Sequence, residues 1–366
     1  MAVLTEEQNM LRDAAKSWVQ EKSPVTAFRK MRDSGAELGY EVAAWNEMAE
    51  MGWAGVIVPE EYGGSAFGYL SMGLILEETG RTLTASPLLA SALGAASALI
   101  LGGSDEQKSE WLPKIAAGEV VATLAIDEGA HHHPEKAEAK VSGGKLTGKK
   151  TFVLEGMAAD LFVVSAQGDG VGDGGVGLYL VKASDPGVKR QRLSLADSRG
   201  AANVTFDGAA AEPLSGGFET LEKTLDRARA GICAEMLGAA TQAFETTLDY
   251  LKTRVQFGQV IGSFQALQHR AAKMFTELEL SRSTVEAALT AIDNDSPDVP
   301  ELVSLAKAKM GDTFHLVSNE MVQMHGGIGM TDAHEAGFYL KRARACEAAF
   351  GNQAYHRDRY AKIQGY

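Results

Sequence analysis

Residues Arg254–Gln268 read RVQFGQVIGSFQALQ. One long helical pattern closes at Arg254 and another opens near Ser263, with Gly258 and Gly262 breaking the helix between them. The connector carries a fixed cation, the aromatic ring of Phe257 and two amides, Gln259 and Gln265. A guanidinium and amides beside a glycine turn suit an anionic, planar ligand such as the diphosphate of a dinucleotide. About 70 residues later, QMHGGIGM at Gln323–Met330 ends a helix at Gly326–Gly327, where backbone approaches a ligand with no Cβ in the way. Taken singly, each stretch is a helix–helix connector in an all-α bundle. Two of them with matching chemistry shift the balance toward ligand binding.

The rest of the chain is consistent with a soluble globular protein of two or three packed units. It has 366 residues, 45% hydrophobic and 23% charged. The net charge of −13, with no basic block, argues against nucleic acid and against anionic membrane surfaces as partners. The longest apolar run, Leu88–Leu101, is too short to span a bilayer and reads as a buried helix. Met1 leads straight into a helix cap with no signal peptide, and two cysteines, Cys233 and Cys346, fit a reducing compartment. Cytoplasm is the expected location.

In chain order, Thr5 and Gln8 form a capping box ahead of a helix reaching about Glu21, and Ala36–Met51 is a second helical pattern. Helices follow near Leu70–Gly80 and Pro87–Leu101. Ser104 and Gln107 then cap a helix ending near Gly118. Near Val120 the period changes. VVATLAID, KLTGKKTFV, DLFVVSAQ, VGLYLVKA and NVTFDG are short, β-branched and bounded by turn residues, which predicts an antiparallel β domain. Long helices return over Gly217–Arg254, Ser263–Asn294, Pro300–Gly326 and Gly337–Ile363, a four-helix bundle. In the third, Leu302, Leu305, Ala306, Met310, Phe314, Val317 and Met321 share a face. The expected domains are 1–121 helical, 122–214 β and 215–366 helical: mainly α with a middle β domain.

Several motifs carry less than they first offer. Gly170, Gly172 and Gly175 fit G-x-G-x-x-G, but a strand follows where a dinucleotide site needs a helix, so a hairpin loop is expected. His131, His132 and His133 are adjacent and cannot readily face one ion, so no metal site is expected and they read as an exposed loop. Glu128–His131 is an E-x-x-H in a glycine turn, not on a helix, so no di-iron site is expected. Lys341, Arg342 and Arg344 read as a solvated helix face, with His356, Arg357 and Arg359 as surface or intersubunit residues.

The double motif R-x-x-F-G-x-x-I-x-x-x-Q and Q-x-x-G-G-x-G, together with GWAGVIVPEEYGG at Gly52–Gly64, resembles the acyl-CoA dehydrogenase family over nearly the whole chain. The resemblance implies an N-terminal helical domain, a middle β domain and a C-terminal four-helix bundle. It implies FAD as cofactor, an acyl-CoA substrate, a homo- or hetero-oligomer (dimer or tetramer) and an electron-transfer flavoprotein as acceptor. In that family a carboxylate takes the α proton of the thioester while the β hydrogen leaves as hydride to the flavin. Each flavin lies at a subunit interface. The neighbour's share of that site maps onto Arg254, Phe257, Gln265, Gln323, Gly326 and Gly327. The family's Glu-Gly-Thr loop maps onto Phe350-Gly351-Asn352, which puts Asn352 with the cofactor residues and phenylalanine at the base position. The alternative base position, ahead of Arg229, is Ala228. The family's T-E-P turn becomes Asp127-Glu128-Gly129, and its W-I-T/S strand becomes Phe152-Val153-Leu154, without the hydroxyl. Glu235, seven residues beyond Ala228 on the same helix face, is a substitute base or else the partner of a bundle arginine.

Overall fold

Both capping boxes form. Thr5 caps α1 (Glu6–Lys22), with Gln8 closing the box, and Ser104 caps α6 (Asp105–Ala116) with Gln107. The structure, a computed structural model, describes residues 4–168 and 175–366. Between those caps lie α2 (Val25–Ser34), α3 (Val42–Glu50), α4 (Tyr69–Arg81), a π-helical stretch Leu88–Ala95 and α5 (Ala96–Gly102). The expected helix Ala36–Met51 is shorter because Gly35 and Gly39 take positive φ and hold residues 35–41 in turns. Gly39 is required there for space as well: a Cβ would meet the Gly200 nitrogen at 2.2 Å. Among the described residues no helix is long and apolar enough to cross a membrane.

The β elements are β1 (Ala122–Ala125), β2 (Lys140–Ser142), β3 (Lys145–Leu154), β4 (Leu161–Gly168), β5 (Val176–Lys182), β6 (Val188–Arg192), β7 (Ala201–Ala210) and β8 (Glu212–Pro213). Their order is β6-β7-β3-β2-β4-β5-β8, with β1 on β4. Most pairs are antiparallel, but β1 and β2 both run parallel to β4, which corrects the purely antiparallel expectation. β4 is buried along six consecutive residues because it is covered on both faces. β6, VKRQR, is an exposed edge kept from further pairing by its charges. Phe162 and Phe206 meet edge-to-face at 5.9 Å in the sheet core. Gly170 and Gly172 lie outside the described residues, and Gly175 leads directly into β5.

The C-terminal helices are α7 (Gly217–Thr253), α8 (Gln265–Asp293), α9 (Val299–His325), α10 (Ala336–Ala348) and α11 (Gln353–Ile363). The expected single helix Gly337–Ile363 is two helices, broken where Phe350 and Gly351 both take positive φ. On α9 the buried face runs through Val303, Ala306, Met310, Phe314, Val317 and Met321, and Leu305 is exposed instead. The chain divides into two compact units, Met1–Phe28 with Gly73–Thr84 and Ile232–Tyr366, and Arg29–Met72 with Ala85–Gly231. In the first unit α4 and α7 cross on glycines. A Cβ on Gly238 would sit 1.8 Å from the Glu77 carbonyl oxygen, and one on Gly80 would sit 2.1 Å from that of Glu235.

Candidate functional site

After Arg254 the chain makes a two-residue hairpin, β9 (Val255–Gln256) against β10 (Gln259–Val260). Phe257 and Gly258 form its tip at φ 58° and 78°, the double left-handed turn that matches strand twist. The Ile261 N–H donates to the Arg254 carbonyl at 2.8 Å and closes the base of the hairpin. Phe257 is thereby held 90% exposed. One turn before Arg254, Tyr250 stacks on His325 at 4.3 Å and donates its hydroxyl to the His325 carbonyl at 3.5 Å. That stack brings the end of α7 to the end of α9, where Gly326 adopts φ 62°, ψ −136°, a conformation open only to glycine. His325 donates Nδ1–H to the Met321 carbonyl at 2.7 Å, and burial holds it and the neighbouring His334 below the usual histidine pKa. Arg254, Gln259, Gln265 and Gln323 are all exposed, and their side chains make no hydrogen bond or ion pair among the described residues. A guanidinium and three amides are thus left free for an anionic ligand, beside an exposed glycine turn.

Asn352 is placed differently. It is the N-cap of α11, its Oδ1 accepting from the Tyr355 N–H at 2.9 Å. The turn before it is fixed from two sides. Lys307, fully buried, donates Nζ to the carbonyls of Cys346, Glu347 and Gly351 at 3.0, 3.2 and 2.9 Å. His356, 0% exposed, bonds the Phe350 carbonyl at 3.1 Å, which corrects its reading as a surface or intersubunit residue. Phe350 sits in this turn at φ 56° with its ring buried.

In the other unit the altered turn is built into the fold. Glu128 accepts from the N–H groups of Glu138 (2.6 Å) and Ala139 (3.0 Å) and from Lys150 Nζ (2.6 Å). Lys150 is fully buried and donates also to Ile126 O and Ser165 Oγ. Phe152 projects from a β-bulge at φ 52° and is 53% exposed. Leu154 offers only its carbonyl, which accepts from Thr123 Oγ1 at 2.6 Å. The histidine run is not uniformly exposed. His131 and His133 are, but His132 is buried between Asp127 (Nδ1 to Oδ1, 2.7 Å) and Arg229 (Nε2 to Nη2, 3.1 Å). Burial lowers the His132 pKa and favours the neutral ring, which donates to Asp127 and accepts from Arg229. Arg229, 0% exposed, also holds Asp226 at 2.9 Å and Glu222 at 3.7 Å. Ala228 beside it is fully buried and carries no titratable group.

Glu235 is 5% exposed, and its Oε1 receives both Nε and Nη2 of Arg342 at 2.9 and 2.8 Å. Arg342 is therefore not part of a solvated face. Its neighbours Lys341 and Arg344 do reach the surface, Arg344 bonding Glu347 at 2.7 Å. The buried Cys233 thiol is pushed up to about 12 by desolvation, so it supplies no thiolate.

Both ends of the chain match one family: the acyl-CoA dehydrogenase N-terminal domain at residues 5–119 and its C-terminal domain at residues 215–364. The chain belongs to the acyl-CoA dehydrogenase family. It is 29% identical over 333 residues to the acyl-CoA dehydrogenase FadE27 of Mycobacterium tuberculosis, covering 86% of each chain. Among solved structures it resembles the steroid acyl-CoA dehydrogenase Tcur3481–Tcur3483 (TM-score 0.91, 29% identity, 98% of each chain). The ChsE4–ChsE5 complex of M. tuberculosis is equally similar in fold (TM-score 0.91, 27% identity, 100% of each chain).

The family's cofactor is FAD, and the residues here fit it unevenly. The side chains of Arg254, Gln265 and Gln323 are unengaged groups suited to its diphosphate and adenosine parts, and the exposed Gly326–Gly327 turn, its Gly326 N–H donating to the Gln323 carbonyl, leaves room for close approach. In the β domain, Glu128 of the turn is otherwise engaged by Lys150, and Leu154 brings no hydroxyl. Sequence reading missed Lys307, His132 and the burial of His356. Only Lys307, between Ala306 and Ala308 on the buried face of α9, carried a signal in the sequence.

Proposed function

We propose that this chain is the half-site subunit of a hetero-oligomeric acyl-CoA dehydrogenase. It supplies Arg254, Phe257, Gln265, Gln323, Gly326 and Gly327 to a flavin whose base comes from a partner subunit. The observation that carries this reading is the contrast between those free, exposed groups and the two base positions, filled by a buried Phe350 and a buried Ala228. Bound FAD supplies the hydride acceptor for α,β-dehydrogenation of the thioester. The chain's own contribution is to hold and orient. Arg254 balances diphosphate charge, Phe257 reaches from the rigid hairpin to pack on the adenosine half, and the glycines, with no Cβ, let the ligand approach the backbone closely. Glu235, ion-paired to Arg342, has a structural role, which weighs against a homo-oligomer with a displaced base. The steroid dehydrogenase and two-protein complex among the structural relatives favour a bulky CoA thioester as substrate and a second, different subunit as partner. An electron-transfer flavoprotein is the proposed acceptor.

The test is flavin content of the chain purified alone and with candidate dehydrogenase partners. Flavin and thioester oxidation appearing only with a partner, and lost in Arg254→Gln of this chain, support the reading. One flavin per chain and full turnover in the isolated homo-oligomer overturn it.

A further inference from the structure

Two arginines one residue apart on α7 have opposite surroundings. Arg229 is fully compensated by Asp226, Glu222 and His132. Arg227 is 8% exposed and has no ion pair among the described residues. Its Nη1 donates to the Lys223 carbonyl at 3.0 Å, within the same helix turn. Its Nε is buried without a partner. The guanidinium lies over the Tyr69 ring, 5.2 Å from the centroid, and the Tyr69 hydroxyl meets Ser97 Oγ at 3.0 Å. α5 closes on the start of α7 nearby, where a Cβ on Gly102 would lie 2.8 Å from Thr220 Cγ2.

A desolvated guanidinium facing no anion is unfavourable, and stacking on an aromatic ring offsets only part of that cost. The bonds already made leave the Nε–Nη2 edge free, and this is the edge that takes a carboxylate with two parallel hydrogen bonds. We propose that Arg227, walled by Tyr69 and Ser97, binds a carboxylate-bearing ligand, either a free dicarboxylic acid or an acyl thioester ending in a carboxylate. Arg227 carries its guanidinium on a side chain with no ion pair to break, so rotation about its torsions presents the free edge to an incoming anion. The proposal uses none of the hairpin and glycine residues proposed for the cofactor, so it stands whether or not the half-site reading does.

Calorimetry on the full chain, with its partner where it has one, tests this with adipate, adipyl-CoA and hexanoyl-CoA on wild type, Arg227→Met and Arg227→Lys. Adipyl-CoA is expected to bind about 10- to 100-fold more tightly than hexanoyl-CoA, the range of a charge-assisted hydrogen-bond pair. Arg227→Met removes that preference and leaves hexanoyl-CoA binding unchanged. Arg227→Lys, which keeps charge without the fork, recovers it in part. Adipate binding that depends on Arg227 assigns the site to free acids, and adipyl-CoA binding alone assigns it to thioesters. Equal binding of both carboxylate probes by wild type and Arg227→Met overturns the proposal. So does an Arg227→Met chain that fails to fold, since that makes the arginine structural. Flavin content read in the same samples separates this result from failure of the half-site.

Discussion

Replacing Glu235 by Gln decides between a structural and a catalytic carboxylate. Both partners of the Glu235–Arg342 pair are buried, with side chains 7% and 9% exposed, so solvent screens little of the interaction. Neutralising one member leaves the other charge buried against an amide, which costs about 3–5 kcal/mol. Arg342→Met is expected to cost a similar amount. The double variant Glu235→Met/Arg342→Met buries neither charge and is expected within about 1–2 kcal/mol of wild type, because a desolvated pair barely exceeds a well-packed apolar one. Urea unfolding at fixed protein concentration of wild type, Glu235→Met, Arg342→Met and the double variant reads all four corners of the cycle. Glu235→Gln unfolding at the wild-type midpoint while abolishing thioester oxidation would refute the structural assignment. Independent additivity of the two single changes would also refute it.

Three further outcomes follow from the geometry. Gly238→Ala places a methyl 1.8 Å from the Glu77 carbonyl oxygen, so α4 and α7 must separate, and urea unfolding should show a loss of at least about 1–3 kcal/mol. Phe257→Asn keeps the left-handed turn with a residue that tolerates it, so stability should hold or rise by about 1 kcal/mol while flavin retention falls. An unchanged flavin content would remove Phe257 from the site. For His132 the folded pKa is lowered from 6.5, so the unfolded chain takes up the proton first as pH falls. Its stabilising contribution is present above about pH 6.5 and is lost progressively as pH drops toward the folded pKa. His132→Gln should flatten that part of the stability–pH curve, and an unchanged slope would show the ring is not buried neutral.

The sequence alone determined what depends on neighbours in the chain. Thr5–Gln8 and Ser104–Gln107 cap their helices because the bonds span three residues, and Gly258 sets a turn by its own φ. The order of helices, strands and helices follows from local periodicity, and the two glycine connectors mark the surface proposed to face the cofactor. The tertiary structure decided which charges are buried. Arg342 looks like a surface residue until Glu235, 107 positions away, meets it. His132 looks like loop until Arg229, 97 positions away, receives it, and Lys307 looks like an exposed cation until three carbonyls of the Phe350 turn surround it. A polar side chain is tolerated inside only when distant groups complete its hydrogen bonds, and no local pattern records those partners. Arg227 is the exception that proves informative: one residue removed from a fully compensated arginine, with Ala228 between them, it differs in what the folded chain leaves beside it.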